Sequence, residues 1–143
     1  MSGCAGSGKS SYIAKHLPSA YVVSADHYFM RDGEYEFNRS QLHQAHTQCQ
    51  TNYLDALTSG CELIVCDNTN TKMRELRPYV EQALELGYEV EIIVLLVDPR
   101  KAFKRNKHQV PLETIKKMAA NIENTLKLLP PNWPHTIIYD EDK

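Results

Sequence analysis

Eight residues near the start of the chain, Gly3-Cys4-Ala5-Gly6-Ser7-Gly8-Lys9-Ser10, follow the spacing G-x-x-x-x-G-K-[ST]. In that pattern glycines let backbone N–H groups curl round a phosphate chain at a helix N-terminus, where the partial positive charge favours an anion. Lys9 is then expected to reach the β- and γ-phosphates and the Ser10 hydroxyl to bind Mg²⁺. The nucleotide-binding set expected here is Gly3, Cys4, Ala5, Gly6, Ser7, Gly8, Lys9, Ser10 and Ser11. Two carboxylates extend the chemistry. Asp67 closes the apolar run Leu63-Ile64-Val65-Cys66, as a carboxylate does that holds Mg²⁺ directly or through Ser10 and water. Capping of the next turn is its alternative. Asp26, in Ser24-Ala25-Asp26-His27-Tyr28, follows another short apolar run and could accept the proton of an attacking hydroxyl. A turn or cap is an equal alternative there.

Positive charge is concentrated further on. Between Arg100 and Lys117 the chain carries seven Lys and Arg against the single acid Glu113, within a protein of formal net charge −2. Phosphoryl transfer needs cationic groups over the equatorial oxygens, and Arg105 is the best placed to supply one; a solvated basic helix face is the plainer reading. Tyr28, Phe29, Tyr35 and Phe37 alternate with Arg31 and Arg39, which suits stacking on a base beside phosphate contacts. The same aromatics could instead pin a long loop to the core. His43 and His46 lack a third partner, so no metal site is expected from them.

The elements that must position these residues follow from periodicity. Helices are predicted over Gly8 to Leu17, from Leu42 to Gly60, from Met73 to Gly87, over Pro99 to Arg105, and from Pro111 to beyond Leu126. Strands are predicted at Ala20 to Ser24, Leu63 to Cys66, Tyr88 to Val97 (the longest) and Thr136 to Tyr139. Their alternation predicts an α/β architecture with a mainly parallel sheet covered on both faces, and ligands beyond the carboxyl ends of its strands. One domain over residues 1–143 is expected.

Bulk composition narrows the class. The longest apolar run, Ile92 to Val97, cannot span a membrane. No basic-then-apolar signal pattern opens the chain, which points to a cytoplasmic location. Cys4, Cys49, Cys61 and Cys66 form no C-x-x-C pair and read as free thiols. The overall charge makes no case for nucleic acid, so any such case is local. Nothing suggests an obligate protein partner.

Taken together, GCAGSGKSS, VVSADHYF, IVCDNTNTKMREL and KRN…VPLETIKKM resemble the polynucleotide-kinase-like branch of the P-loop kinases. That branch includes the 5′-hydroxyl polynucleotide kinases, the kinase-like domain of 2′,3′-cyclic nucleotide phosphodiesterase, and AAA-type stand-alone ATP-binding kinases, to which DGEYEFN…LHQAH is similar. The likeness runs from Gly3 to about Leu126. It implies a three-layer α/β/α P-loop kinase fold, ATP with Mg²⁺, and transfer of the γ-phosphoryl group to a hydroxyl. The acceptor it implies is the 5′-hydroxyl of a polynucleotide or a nucleotide-like molecule. On this resemblance Asp26 is the general base, Lys9 and Arg105 act on the transferred group, and Ser10 and Asp67 hold the metal. Tyr28, Arg31, Thr69 and Asn70 are the expected acceptor contacts. Phe29 stands where those kinases carry an acceptor-binding Arg, with Arg31 two positions on. Lys107, His108 and Gln109 stand where a second lid Arg is usual. A small-molecule or modified-base kinase, a toxin-like kinase acting on a sugar nucleotide, and a non-catalytic ATP-binding module are the other readings.

In this fold class a buried strand precedes the phosphate loop, and here only Met1 and Ser2 do. Five apolar residues in a central strand bury roughly 8–15 kcal/mol, as much as a whole domain's net stability. The expectation is therefore a fold lacking its first central strand, truncated before the loop, with the native polypeptide beginning roughly five to ten residues upstream. A chain beginning at Met1 is expected to be marginally stable and to bind ATP weakly.

Overall fold

The structure is a computed structural model that describes residues 1–31, 34–106 and 110–139, with the backbone alone for Arg31 and Tyr35. Seven strands and five α-helices alternate along it. They are β1 (Ser2–Gly3), α1 (Lys9–His16), β2 (Tyr21–Val23), β3 (Met30–Arg31), β4 (Glu34–Tyr35), α2 (Leu42–Thr58), β5 (Ile64–Cys66), α3 (Met73–Glu85), β6 (Ile92–Leu96), α4 (Pro99–Arg105), α5 (Leu112–Leu128) and β7 (His135–Tyr139). Short 3-10 turns at Ala25–Phe29 and Arg39–Gln41 join β2 to β3 and lead into α2.

The main sheet is parallel and comes in two pieces, β2-β5 and β1-β6-β7. Single hydrogen bonds bridge the pieces at β1: the Met1 nitrogen donates to the Cys66 carbonyl at 3.1 Å and the Gly3 N–H to the Thr69 carbonyl at 3.0 Å. The spatial order is therefore β2-β5-β1-β6-β7. A strand does precede the phosphate loop, but it is two residues long and pairs with β6 only through Ser2 and Gly3, opposite Val94 and Leu95.

Strand periodicity sorts the core into layers. On one face Ile92 and Val94 meet Leu76 and Val80 of α3, Ile122 of α5 and Trp133. Val23 and Cys66 on that same face meet Ala45, Cys49 and Tyr53 of α2. On the other face Val65 and Leu95 pack against Ile13 of α1, with Leu17, Ile93 and Ile138 around them. The result is the three-layer α/β/α arrangement expected of a P-loop kinase fold.

The predicted elements are recovered with three differences. The long strand predicted from Tyr88 is confined to Ile92–Leu96, no longer than β7. Residues 88–91 carry strand composition but form no ladder with a described strand; β7 begins opposite Ile92 and β1 pairs with β6 at Val94 and Leu95. Tyr88 instead turns its hydroxyl to the carbonyls of Cys61 (2.8 Å) and Leu57 (3.2 Å). Pro111 caps α5 rather than starting it. The aromatic segment after Asp26 holds a small antiparallel hairpin, β3-β4. All four cysteines are free, three of them buried.

Candidate phosphate-binding site

The loop joins β1 to α1, and two of its glycines have conformations that only glycine adopts without strain. Gly8 caps α1 with φ 95°, leaving the amides of the first helical turn without a side-chain cap. Gly6 has φ 77°, and a Cβ there would collide with the Ala102 carbonyl oxygen, so the backbone of α4 rests directly on the loop. α1 has no acid in its first turn and carries Lys15 and His16 in its last, so its dipole is matched for an anion at the loop.

The side chains converge on the same point. The Lys9 ammonium lies along the loop and donates to the carbonyls of Cys4 (3.1 Å) and Gly3 (3.2 Å). Burial pulls its pKa down, and the charges of Asp67 and Asp26 act in the opposite direction. Both sequence-predicted carboxylates thus lie within electrostatic reach of Lys9. The Ser10 hydroxyl donates to Asp67 Oδ2 at 2.9 Å, bringing the two expected metal ligands together. Ser7 Oγ, buried over Gly3, has no hydrogen-bond partner among the described residues. Burial raises the Cys4 thiol, which stays protonated at the floor of the loop. Arg105, at the end of α4, brings its guanidinium to 4.0 Å from where a Gly8 Cβ would stand. The close packing of α4 on Gly6 is what delivers that arginine to the loop.

The three carboxylates that follow strands have three different settings. Asp67 meets Ser10. Asp98 caps α4, its Oδ1 accepting the Arg100 N–H at 2.8 Å. Asp26 is exposed on the first turn after β2, with its N–H donating to Ser24 Oγ at 3.2 Å. That turn is fastened by Asn68, whose Oδ1 accepts the Ala25 N–H at 2.8 Å. Asn68 also points its amide nitrogen at Cys66 Sγ (3.4 Å) and Cys49 Sγ (3.5 Å). One buried side chain thus ties the Asp26 turn to the strand that ends in Asp67. Asn68 belongs to the tract Asp67-Asn68-Thr69-Asn70, which was the available signal for it; its partner across the sheet, Ala25, had none.

The expected acceptor contacts fare unequally. Asn70 is buried at φ 44°, with its amide donating to the Met1 carbonyl at 2.8 Å, so its side chain holds β1 in place. Thr69 offers its carbonyl to Gly3 and is half-buried. Tyr28 packs edge-on to Phe29 at 5.4 Å, and Phe29 sits in the core against Phe37 at 5.1 Å. This is the pinning arrangement for these aromatics. The side chain of Arg31 lies outside the description, as do Lys107, His108 and Gln109. A groove of about 340 Å³ runs from Ser10, Asp67 and His27 down the α1 side of β2, floored by Ile13, Leu17 and Val22. No described helix is long and apolar enough to cross a membrane.

Comparison with known proteins agrees with this geometry. The chain is 33% identical over 128 residues to human NEDD4-binding protein 2; the match takes in 82% of this chain and only about 7% of that relative's length. In fold it is similar to deoxyadenosine kinase from M. mycoides, solved with bound dATP, at a TM-score of 0.56 and 17% identity over 96% of this chain and 88% of that one. The family model described as AAA domain matches residues 1–125, and the chain therefore belongs to that AAA_33 family, which is P-loop kinase-like.

Proposed function

We propose that this protein is an ATP-dependent phosphotransferase that moves the γ-phosphoryl group to a hydroxyl of a nucleotide-like acceptor, a polynucleotide 5′-hydroxyl being the leading case. The observation that carries this reading is the convergence on one loop of Lys9, the Ser10–Asp67 pair and Arg105. Backbone amides at the start of α1 and the buried Ser7 hydroxyl suit the phosphate oxygens. Ser10 and Asp67 are hard oxygen donors in the number Mg²⁺ uses when phosphates complete its shell. A cation there would neutralise charge on the β- and γ-phosphates.

In the proposed reaction the acceptor oxygen bonds to the γ-phosphorus as the bond to the β,γ-bridging oxygen breaks. Lys9 and Arg105 stabilise charge on the transferred group, and Asp26 takes the acceptor's proton. The exposed position of Asp26, electrostatically coupled to Lys9, supports that role. The test is transfer of labelled γ-phosphate to a panel of 5′-hydroxyl oligonucleotides, nucleosides and hydroxymethylated bases. Asp26→Asn is expected to lower transfer by about 10²–10⁴-fold while ATP binding stays within about twofold. Unchanged turnover would remove Asp26 from the base role. Transfer to none of the panel, with ATP bound, would favour a binding module.

A further inference from the structure

Where α2 packs on β5, two thiols meet that the phosphate site does not use. Cys49 and Cys66 are both buried, at 1% and 9% exposure, and lie in hydrogen-bond contact with each other. Their surroundings are unequal. Three donors converge on Cys49 Sγ: the Cys66 thiol, the Tyr79 hydroxyl at 3.3 Å and the Asn68 amide at 3.5 Å. Cys66 Sγ accepts from the same Asn68 amide at 3.4 Å and, at a longer 3.8 Å, from Asn70. Donors aimed at a sulfur favour its anion. The Cys66 hydrogen bond, with those of Tyr79 and Asn68, holds the Cys49 thiol below the ordinary thiol range, while donation and burial push Cys66 up. One member of the pair is thus a nucleophilic thiolate and the other a protonated thiol beside it.

We propose that Cys49 and Cys66 form a reversible disulfide when hydrogen peroxide oxidises them, and that this bond releases the Asp26 turn. The Cys49 thiolate attacks one peroxide oxygen, the O–O bond breaks, and hydroxide leaves and takes up a proton as water. Cys49 is then a sulfenic acid. The Cys66 sulfur attacks it and gives up its proton, the S–O bond breaks, and a second water leaves. Two electrons have passed from the thiols to the peroxide. A small, uncharged oxidant suits sulfurs as buried as these. The link to the turn is Asn68, whose amide nitrogen spans both sulfurs while its Oδ1 holds the Ala25 N–H at 2.8 Å. Closing the sulfurs to about 2.05 Å draws α2 against β5 and replaces an anionic acceptor by a neutral one. Asn68 thereby loses the anchor that orients it, and the N–H one residue before Asp26 loses its partner. An effect on phosphoryl transfer rests on the reading of Asp26 as the base; the disulfide and the loosened turn do not.

The test is exposure of the folded full chain to hydrogen peroxide, followed by alkylation of the remaining thiols. Digestion that cuts after Tyr53 and Glu62 then puts Cys49, Cys61 and Cys66 on separate fragments. A linked Cys49–Cys66 pair is expected, and dithiothreitol should abolish it. Hydrogen exchange at the Ala25 amide should quicken about tenfold or more in the oxidised protein. Exchange at the Tyr12 amide, bonded to the Gly8 carbonyl in α1, should stay within about twofold. Cys49→Ser keeps a hydrogen-bonding group in place and should remove both responses; Cys61→Ser should keep both. No Cys49–Cys66 pair, linkage through Cys61 instead, or a linked pair with unchanged Ala25 exchange would overturn the proposal. None of these readouts is transfer activity, so a failed phosphotransferase assay would count against that reading alone.

Discussion

The two ends of the central sheet are built to different standards. At the carboxyl end, α4 lies on Gly6 at backbone contact, Arg105 reaches Gly8, Ser10 meets Asp67, and Asn68 fastens the Asp26 turn. At the amino end the same strands part around a cavity of about 260 Å³. The phosphate site is pre-organised by contacts close to it. Binding geometry and global stability are separable here, and mutations at the two ends should separate them.

The largest effect is expected from Gly6→Ala. Its methyl would meet the Ala102 carbonyl at a positive φ, so α4 must move off the loop and carry Arg105 with it. ATP affinity should fall at least a hundredfold by calorimetry, with about 2–4 kcal/mol lost in denaturant unfolding. An affinity within threefold of the parent would show that the packing of α4 on the loop is not what holds the site. Asn68→Ala comes next. It strands the buried Ala25 N–H, and about 1–3 kcal/mol of stability should go with it. Phosphoryl transfer should drop more than ATP binding, since the Asp26 turn loosens while the loop keeps its contacts; equal losses would break that distinction.

The pH dependence of ATP binding sharpens the comparison from the loop side. Burial lowers the Lys9 pKa in the free protein, whereas bound phosphates favour the ammonium. Binding therefore takes up a proton once the pH rises through that lowered pKa, and affinity is full below it and lost above it. The decline should set in below the ordinary lysine value of about 10.4 and be absent in Lys9→Ala, whose affinity is low throughout. The same shift acts on folding: a buried ammonium is a penalty below the lowered pKa, relieved as the pH rises through it toward the unfolded value. The smallest change is expected from Tyr88→Phe at the far end, where the one hydroxyl proton shared between the Cys61 and Leu57 carbonyls disappears. About 1 kcal/mol of stability should be lost with ATP affinity unchanged; a fall in affinity would mean that the two ends are coupled.

Legibility in the sequence follows the range of the interactions involved. The loop, α1 and α4 were readable because their signals are local: glycine spacing, an N-terminal proline, an apolar stripe of period 3.6. Asp67 was readable as the end of an apolar run, yet its pairing with Ser10 spans 57 residues and emerges only when β5 lies beside β1. Asp98 carried the same signal and is only a cap. Phe29 and Tyr28 read equally well as a stacking surface or as core, and packing placed them against each other and the core. Residues 88–91 read as strand but pair with no described strand, and a strand needs a neighbour as well as a composition.

What the residues determined by themselves is the chemistry available at one loop and the alternation that makes a parallel α/β sheet. Those properties depend on backbone freedom and hydrophobic period, which are written within a few positions of one another. What only the tertiary structure decided is which carboxylate meets Ser10, how closely Arg105 approaches the loop, and that Asn70 serves β1. Each of those depends on groups far apart in the chain becoming neighbours, and sheet pairing and side-chain packing, not local propensity, determine which groups meet.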